Sequence, residues 1–177
     1  TATTTASSTF NAAVTNTNAI TTGVGSTTVF DSTVSSATLS NSGAMTLKGA
    51  VTLSGTMTTV SGSTITLGSA FKAGSAAAIT AASTSVGTLD QTVNAVTVNV
   101  NNQFTTGTVV LFKNTAAVLD ADDLASFNVT DTAIVDYTAA LSSTAKAIEI
   151  TANKRTTAGI ATYLGMSTAQ SAALGQI

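Results

Sequence analysis

Glycine recurs at Gly43, Gly49, Gly55, Gly62 and Gly68, a step of six residues that slips to seven once. A fixed step of this kind is an internal repeat, and it restricts the fold more than any other feature of the chain. Short alternating units lie between the glycines, among them Thr46-Leu47-Lys48, Val51-Thr52-Leu53 and Ile65-Thr66-Leu67. Period-two alternation places Leu47, Val51, Leu53, Ile65 and Leu67 on an inner face, with Thr and Ser outside. A unit this short cannot bury its own apolar side, so neighbouring units must stack and share a core. The expectation is an all-β fold, a right-handed parallel β-solenoid or β-helix, with a short α-helical C-terminal tail. Leu47, Leu53, Ile65, Leu67, Val96, Val98 and Val100 are expected inside, and helix only after Thr156.

So much Ser, Thr and Gly also suits a disordered chain, and composition decides between the two. Disorder goes with low hydrophobicity and high net charge. Here 44% of residues are hydrophobic, mean hydropathy is +0.39 and only 8% are charged. Thr and Val are β-branched and suit a pleated surface, which explains the Thr excess without a ligand. Eight acids against six bases leave a net charge of −2 with no basic patch. Nucleic-acid binding is therefore not expected. No apolar run reaches the length of a membrane-spanning helix, so no membrane span is expected. The chain lacks Cys, which excludes a disulfide framework. It begins at Thr1 without Met or a signal peptide, and reads as a processed product or a fragment.

Three segments follow. Residues 1–30 are a Thr-rich start with the first strands, residues 31–155 the β body, and residues 156–177 a helical tail or cap. Within the body, Val93 to Val100 alternates cleanly and Thr108-Val109-Val110-Leu111-Phe112 reads as a strand covered on both faces. Asp120 to Leu124 reads as a turn or short helical cap. Ile134–Tyr137 and Ala147–Ile150 read as the last two strands, joined through Ser142-Ser143-Thr144. In the tail, helical periodicity from Thr156 puts Ile160, Tyr163 and Leu164 on one side, and Gly165 is a stop signal. Ser167 with Gln170 is a capping-box pattern opening a second helix, Thr168 to about Gln176.

The Gly-punctuated Thr-rich strands, the paired strands around Ile134–Ile150 and the tail KRTTAGIATYLGMSTAQSAALGQI together resemble the distal passenger region of bacterial autotransporters (type V secretion). Asn153-Lys154-Arg155 and Ala158 to Leu174 occupy the place of that family's segment leading to the translocation barrel. The resemblance covers about residues 38–177. It implies a right-handed parallel β-helix with a capping segment, displayed or released at the bacterial cell surface. The barrel itself is not in this chain.

The sequence offers little chemistry. There is no His and no Cys, which excludes most nucleophile–base pairs and most zinc or copper sites. A six-step acyltransferase reading fails for want of its His. Asp120, Asp122 and Asp123 form an acidic cluster with two readings: a Ca²⁺ site built on carboxylate oxygens, or a solvated turn whose acids cap the next segment. Asp131, Asp136 and Glu149 stand apart, with no spacing that selects a glycosidase pair. Lys154-Arg155 could hold a carboxylate, mark a protease cleavage point or simply end a strand in solvent. Thr-x-Thr units such as Thr64-Ile65-Thr66 lack the regular array of an ice-binding surface. Asn128-Val129-Thr130 matches a glycosylation sequon.

No catalytic, cofactor-binding or metal-binding residue is assigned, and no cofactor is expected. The function expected is not enzymatic: a secreted, extracellular structural or adhesive protein of a bacterial cell surface. It is expected to self-associate as an oligomer or filament, with a cell-surface or polysaccharide ligand as a possible second partner. The alternatives are a filament or surface-layer subunit that assembles by strand addition of its N-terminal segment, and a β-helical carbohydrate-active enzyme.

Overall fold

A computed structural model describes residues 6–82, 96–100 and 105–174. Three sheets are present. The first has the order β1 (Ser7–Phe10), β4 (Thr27–Phe30), β7 (Ala44–Leu47), β10 (Ser63–Leu67), β12 (Val96–Asn99) and β14 (Phe127–Thr130), all parallel. The second runs β2 (Val14–Thr15), β5 (Val34–Ser36), β8 (Val51–Leu53), β11 (Ile79–Ala81), β13 (Gly107–Asn114), β16 (Ala147–Lys154) and β15 (Val135–Leu141). The third holds β3 (Ala19–Thr22), β6 (Thr38–Asn41) and β9 (Met57–Thr59). Helix α1 spans Ala121–Ala125, α2 spans Thr157–Tyr163 and α3 spans Thr168–Leu174.

The glycine step now has a physical cause. The early strands are dealt to the three sheets in rotation, and Ser7 pairs with Thr27, Thr27 with Ala44 and Ala44 with Thr64. Three short units, close to six residues each, therefore bring the chain back beside itself. The glycines sit where it turns from one sheet to the next under a neighbouring backbone. A Cβ on Gly49 would lie 2.4 Å from the carbonyl carbon of Ser32 and 2.6 Å from its oxygen. Gly62, at the slip from six to seven, instead has φ +85 with open space around it. It serves a left-handed turn.

Alternation fills the shared interior. Leu47, Leu53, Ile65, Leu67, Val96, Val98 and Val100 are all buried. A polar seam runs through the apolar core at Thr22 and Asn41. Asn41 is fully buried, its Oδ1 accepts from Thr22 Oγ1, and its Nδ2 donates to the Thr64 carbonyl at 3.3 Å. The partly buried apolar residues packed on this core are Val14 and Ile20 on the first strands, and Leu124, Val129, Ala139 and Leu141 near the last ones. The core thins at both ends.

The expected all-β parallel solenoid is not what the chain forms. The second sheet mixes parallel and antiparallel pairs, and the described residues are 46% strand and 12% helix. The parallel succession stops in the second sheet, where β16 pairs antiparallel with β13 on one side and β15 on the other. The β15–β16 pair has a local reason, since the 142–146 turn is short and a short turn joins strands only as an antiparallel hairpin; the β13–β16 pair joins segments distant in sequence. A register shift between Val110 and Phe112 turns both Leu111 and Phe112 inward, which accounts for the unbroken apolar run there.

Helix is not confined to the tail either. Asp120 caps α1 inside the body. Within α2 the buried residue is Ala161, while Tyr163 and Leu164 are about half exposed. The apolar side expected from Ile160, Tyr163 and Leu164 is thus not the buried one. Ser167 and Gln170 do cap α3, with the Ser167 N–H donating to Gln170 Oε1 at 2.9 Å. Expected strand residues 93–95, the start at residues 1–5 and the end at residues 175–177 lie outside the described residues.

Candidate functional site

The acidic cluster resolves into a helix cap. Asp120 Oδ1 accepts from the N–H groups of Asp122 and Asp123, both at 3.0 Å, and Asp123 Oδ2 accepts from the Asp120 N–H at 3.0 Å. This reciprocal box satisfies N–H groups that a helix start leaves without partners. No group of three or more His, Cys, Asp or Glu side chains suited to a metal ion occurs among the described residues.

Asp123 is buried, and its desolvation raises its pKa above the ordinary 3.8, with the Asp120 and Asp122 charges adding to the effect. The folded chain then holds this proton more tightly than the unfolded one. Its contribution to stability is full below the unfolded value and is lost as pH rises through the folded value. Asp123→Asn should flatten that part of a stability–pH profile measured by denaturant titration. Asp120→Ala should cost about 1 kcal/mol at neutral pH, and Asp122→Ala, at an exposed position, much less.

A second cluster ties the tail to the body. Arg155 Nη2 lies 2.6 Å from Asp131 Oδ2 and 3.5 Å from Asp136 Oδ1. Its guanidinium carbon is 4.8 Å from the Tyr163 ring centroid, a cation–π distance. Asp131 also accepts from the Tyr137 N–H at 2.8 Å, and the Tyr137 hydroxyl has its pKa raised by burial and, secondarily, by the Asp131 charge. The structure thus brings together Asp131, Asp136 and Arg155. Glu149, on β16, has no part in this cluster, and Lys154 is exposed. Arg155 pairs with both carboxylates and lies against the Tyr163 ring, so the group serves as a clamp on α2.

The remaining candidate is made by strand edges. Both the first and second sheets begin on consecutive strands, β1 and β2. The first ends after six strands at β14, and the second continues to seven at β15. Strands are about 4.8 Å apart, so β15 stands one strand beyond β14. The result is a notch one strand deep. A cleft of about 360 Å³ occupies it, lined by Leu124, Phe127, Val129, Tyr137 and Ala139 among others. The Val96 N–H donates to the Ser126 carbonyl, and alternation along a parallel strand then directs the main-chain groups of Phe127 and Val129 into the notch.

Compared with protein-family models, curated proteins and solved structures, the chain matches none. At the opposite end β1, β2 and β3 are each the outermost member of a sheet. All four residues of β1 are exposed, and Phe10 stacks on Phe30 with ring centroids 5.3 Å apart. None of β1, β2, β3 or β14 carries a charged residue, and the chain has no Pro. Sequence reasoning drew attention to the acids and missed the notch. The edge offset depends on which strand β16 pairs with, and no local pattern encodes that.

Proposed function

We propose that this is a non-enzymatic structural or adhesive protein of the bacterial cell exterior, passenger-like in the order of its segments, that works by associating with itself. One observation carries the reading. Open strand edges are sites of unwanted pairing, and natural β proteins guard them with charge, Pro or bulges. Here β1 to β3 at one end and β14 at the other are uncharged, and the far edge of the second sheet, β15, carries a single charge, Asp136, which is paired with Arg155. Unguarded edges suit a chain that adds strands between molecules. The scarcity of charge and the Thr-rich outer faces support an exposed, weakly interacting shaft between the joints. Among the described residues no helix is long and apolar enough to cross a membrane.

Sedimentation velocity over a wide concentration range tests the reading. The weight-average mass of the full chain should rise with concentration, with little dependence on salt because the edges lack charge. A chain that sediments as a 17.4 kDa monomer at every concentration would remove it. The edges favour the filament-subunit version over a purely adhesive one, because the two ends differ and a head-to-tail contact repeats from copy to copy wherever its rotation does not close a ring.

A further inference from the structure

We infer that the notch beside β14 is the acceptor site for the first strand of a second copy of this chain, which enters as the seventh strand of the first sheet. The inference deepens the self-association reading and rests on it.

Strand polarity and register both fit. The paired columns of the first sheet run Ser7–Thr27–Ala44–Thr64–Thr97–Asn128 and Thr9–Val29–Thr46–Thr66–Asn99–Thr130. Continuing the same register places the incoming Ser7 on Asn128, Ser8 on Val129 and Thr9 on Thr130. The main-chain phase also matches. In β1 the Ala6 and Phe10 carbonyls accept from the N–H groups of Thr27 and Asp31, so alternation turns the N–H and C=O of Ser7 and Thr9 outward. Those groups meet the outward N–H and C=O of Val129. On the inner face, Ala6 and Ser8 would approach Phe127 and Val129, small side chains entering a slot already walled by Tyr137 and Ala139 of β15.

The occupant cannot be the same molecule's β1. That strand lies about five strand spacings away, roughly 24 Å, and residues 11–13 hold it close to β2. A rigid end-to-end stack is also excluded, because the incoming β2 would meet β15. The first strand must therefore leave β4 and swing out on Asn11, Ala12 and Ala13, all exposed and outside any strand. It is suited to this, being short, exposed along its length and paired on one side only. Each copy both donates and accepts, so the contact repeats from copy to copy, as an open chain or a closed ring according to its rotation.

Two single variants of the full-length protein test the joint. Thr9→Pro removes the outward N–H of the donor strand and leaves the bonds to β4 intact. Val129→Lys puts a charge on the acceptor edge at a half-buried position. Each variant alone should remain monomeric at concentrations where the parent associates, while retaining the parent's circular dichroism and a cooperative melt. An equimolar mixture should form dimers and stop there, because Val129→Lys can only donate and Thr9→Pro can only accept. Thr52→Lys, a charge on the exposed face of a flanked strand, should associate like the parent. If the parent associates and either end variant associates equally, or the mixture gives no dimer, the joint is wrong and self-association stands. If the parent never associates, both fall.

Discussion

Gly49→Ala should destabilise the protein by about 3 kcal/mol, the upper end of the range for forcing one extra methyl group into a filled site. The added Cβ meets backbone, with the Ser32 carbonyl carbon at 2.4 Å, its oxygen at 2.6 Å and the Thr33 nitrogen at 2.7 Å. No side chain can rotate away to make room, so two neighbouring circuits must separate. Gly62→Ala offers the contrast. Nothing lies within 4 Å of its Cβ position, and the penalty is only that of the left-handed φ, about 1 kcal/mol. Equilibrium urea unfolding would read both. Equal costs at the two positions would mean that the glycine repeat serves turns alone.

The second large effect is at the N-terminal end of the core. Phe30 is 1% exposed, and its ring lies between the interior and Phe10. Truncation to Ala should cost about 4 kcal/mol through lost burial and a cavity. Phe10→Ala should cost about 1 kcal/mol, because Phe10 is 43% exposed and loses mainly the ring contact. The two variants should also differ in assembly. Loosening Phe10 from Phe30 makes β1 easier to release, so Phe10→Ala should associate at lower concentration than the parent in light scattering. Unchanged association would imply that β1 is not released.

The interior was readable because period two and the glycine step are local. Leu47, Leu53, Ile65 and Leu67 follow from alternation alone, and all are buried. The Asp120 cap was open to the sequence as one of two readings, since the acids precede a short apolar run. What lay out of reach depends on long-range pairing. The antiparallel return of β16 onto β13 joins segments distant in sequence, so the preceding parallel strands gave no warning of it. Asn41, the buried partner of Thr22 nineteen residues earlier, looks in the sequence like one more turn asparagine. Arg155 finds Asp131 and Asp136 only because the β15–β16 hairpin folds the chain back, with Val135 opposite Lys154. The notch has the same origin.

Disulfide trapping between molecules tests the joint most directly, because the chain has no cysteine of its own. Thr9 and Thr130 are both exposed, and the continued register makes them direct partners on adjacent parallel strands, within the span a disulfide bridges. Thr9→Cys and Thr130→Cys would be made in separate chains, mixed and oxidised. The account predicts a cross-linked dimer that pairs position 9 of one chain with position 130 of the other, in clear excess over either homodimer. Homodimers forming as readily as the mixed species, or no mixed species at concentrations where the protein associates, would contradict it.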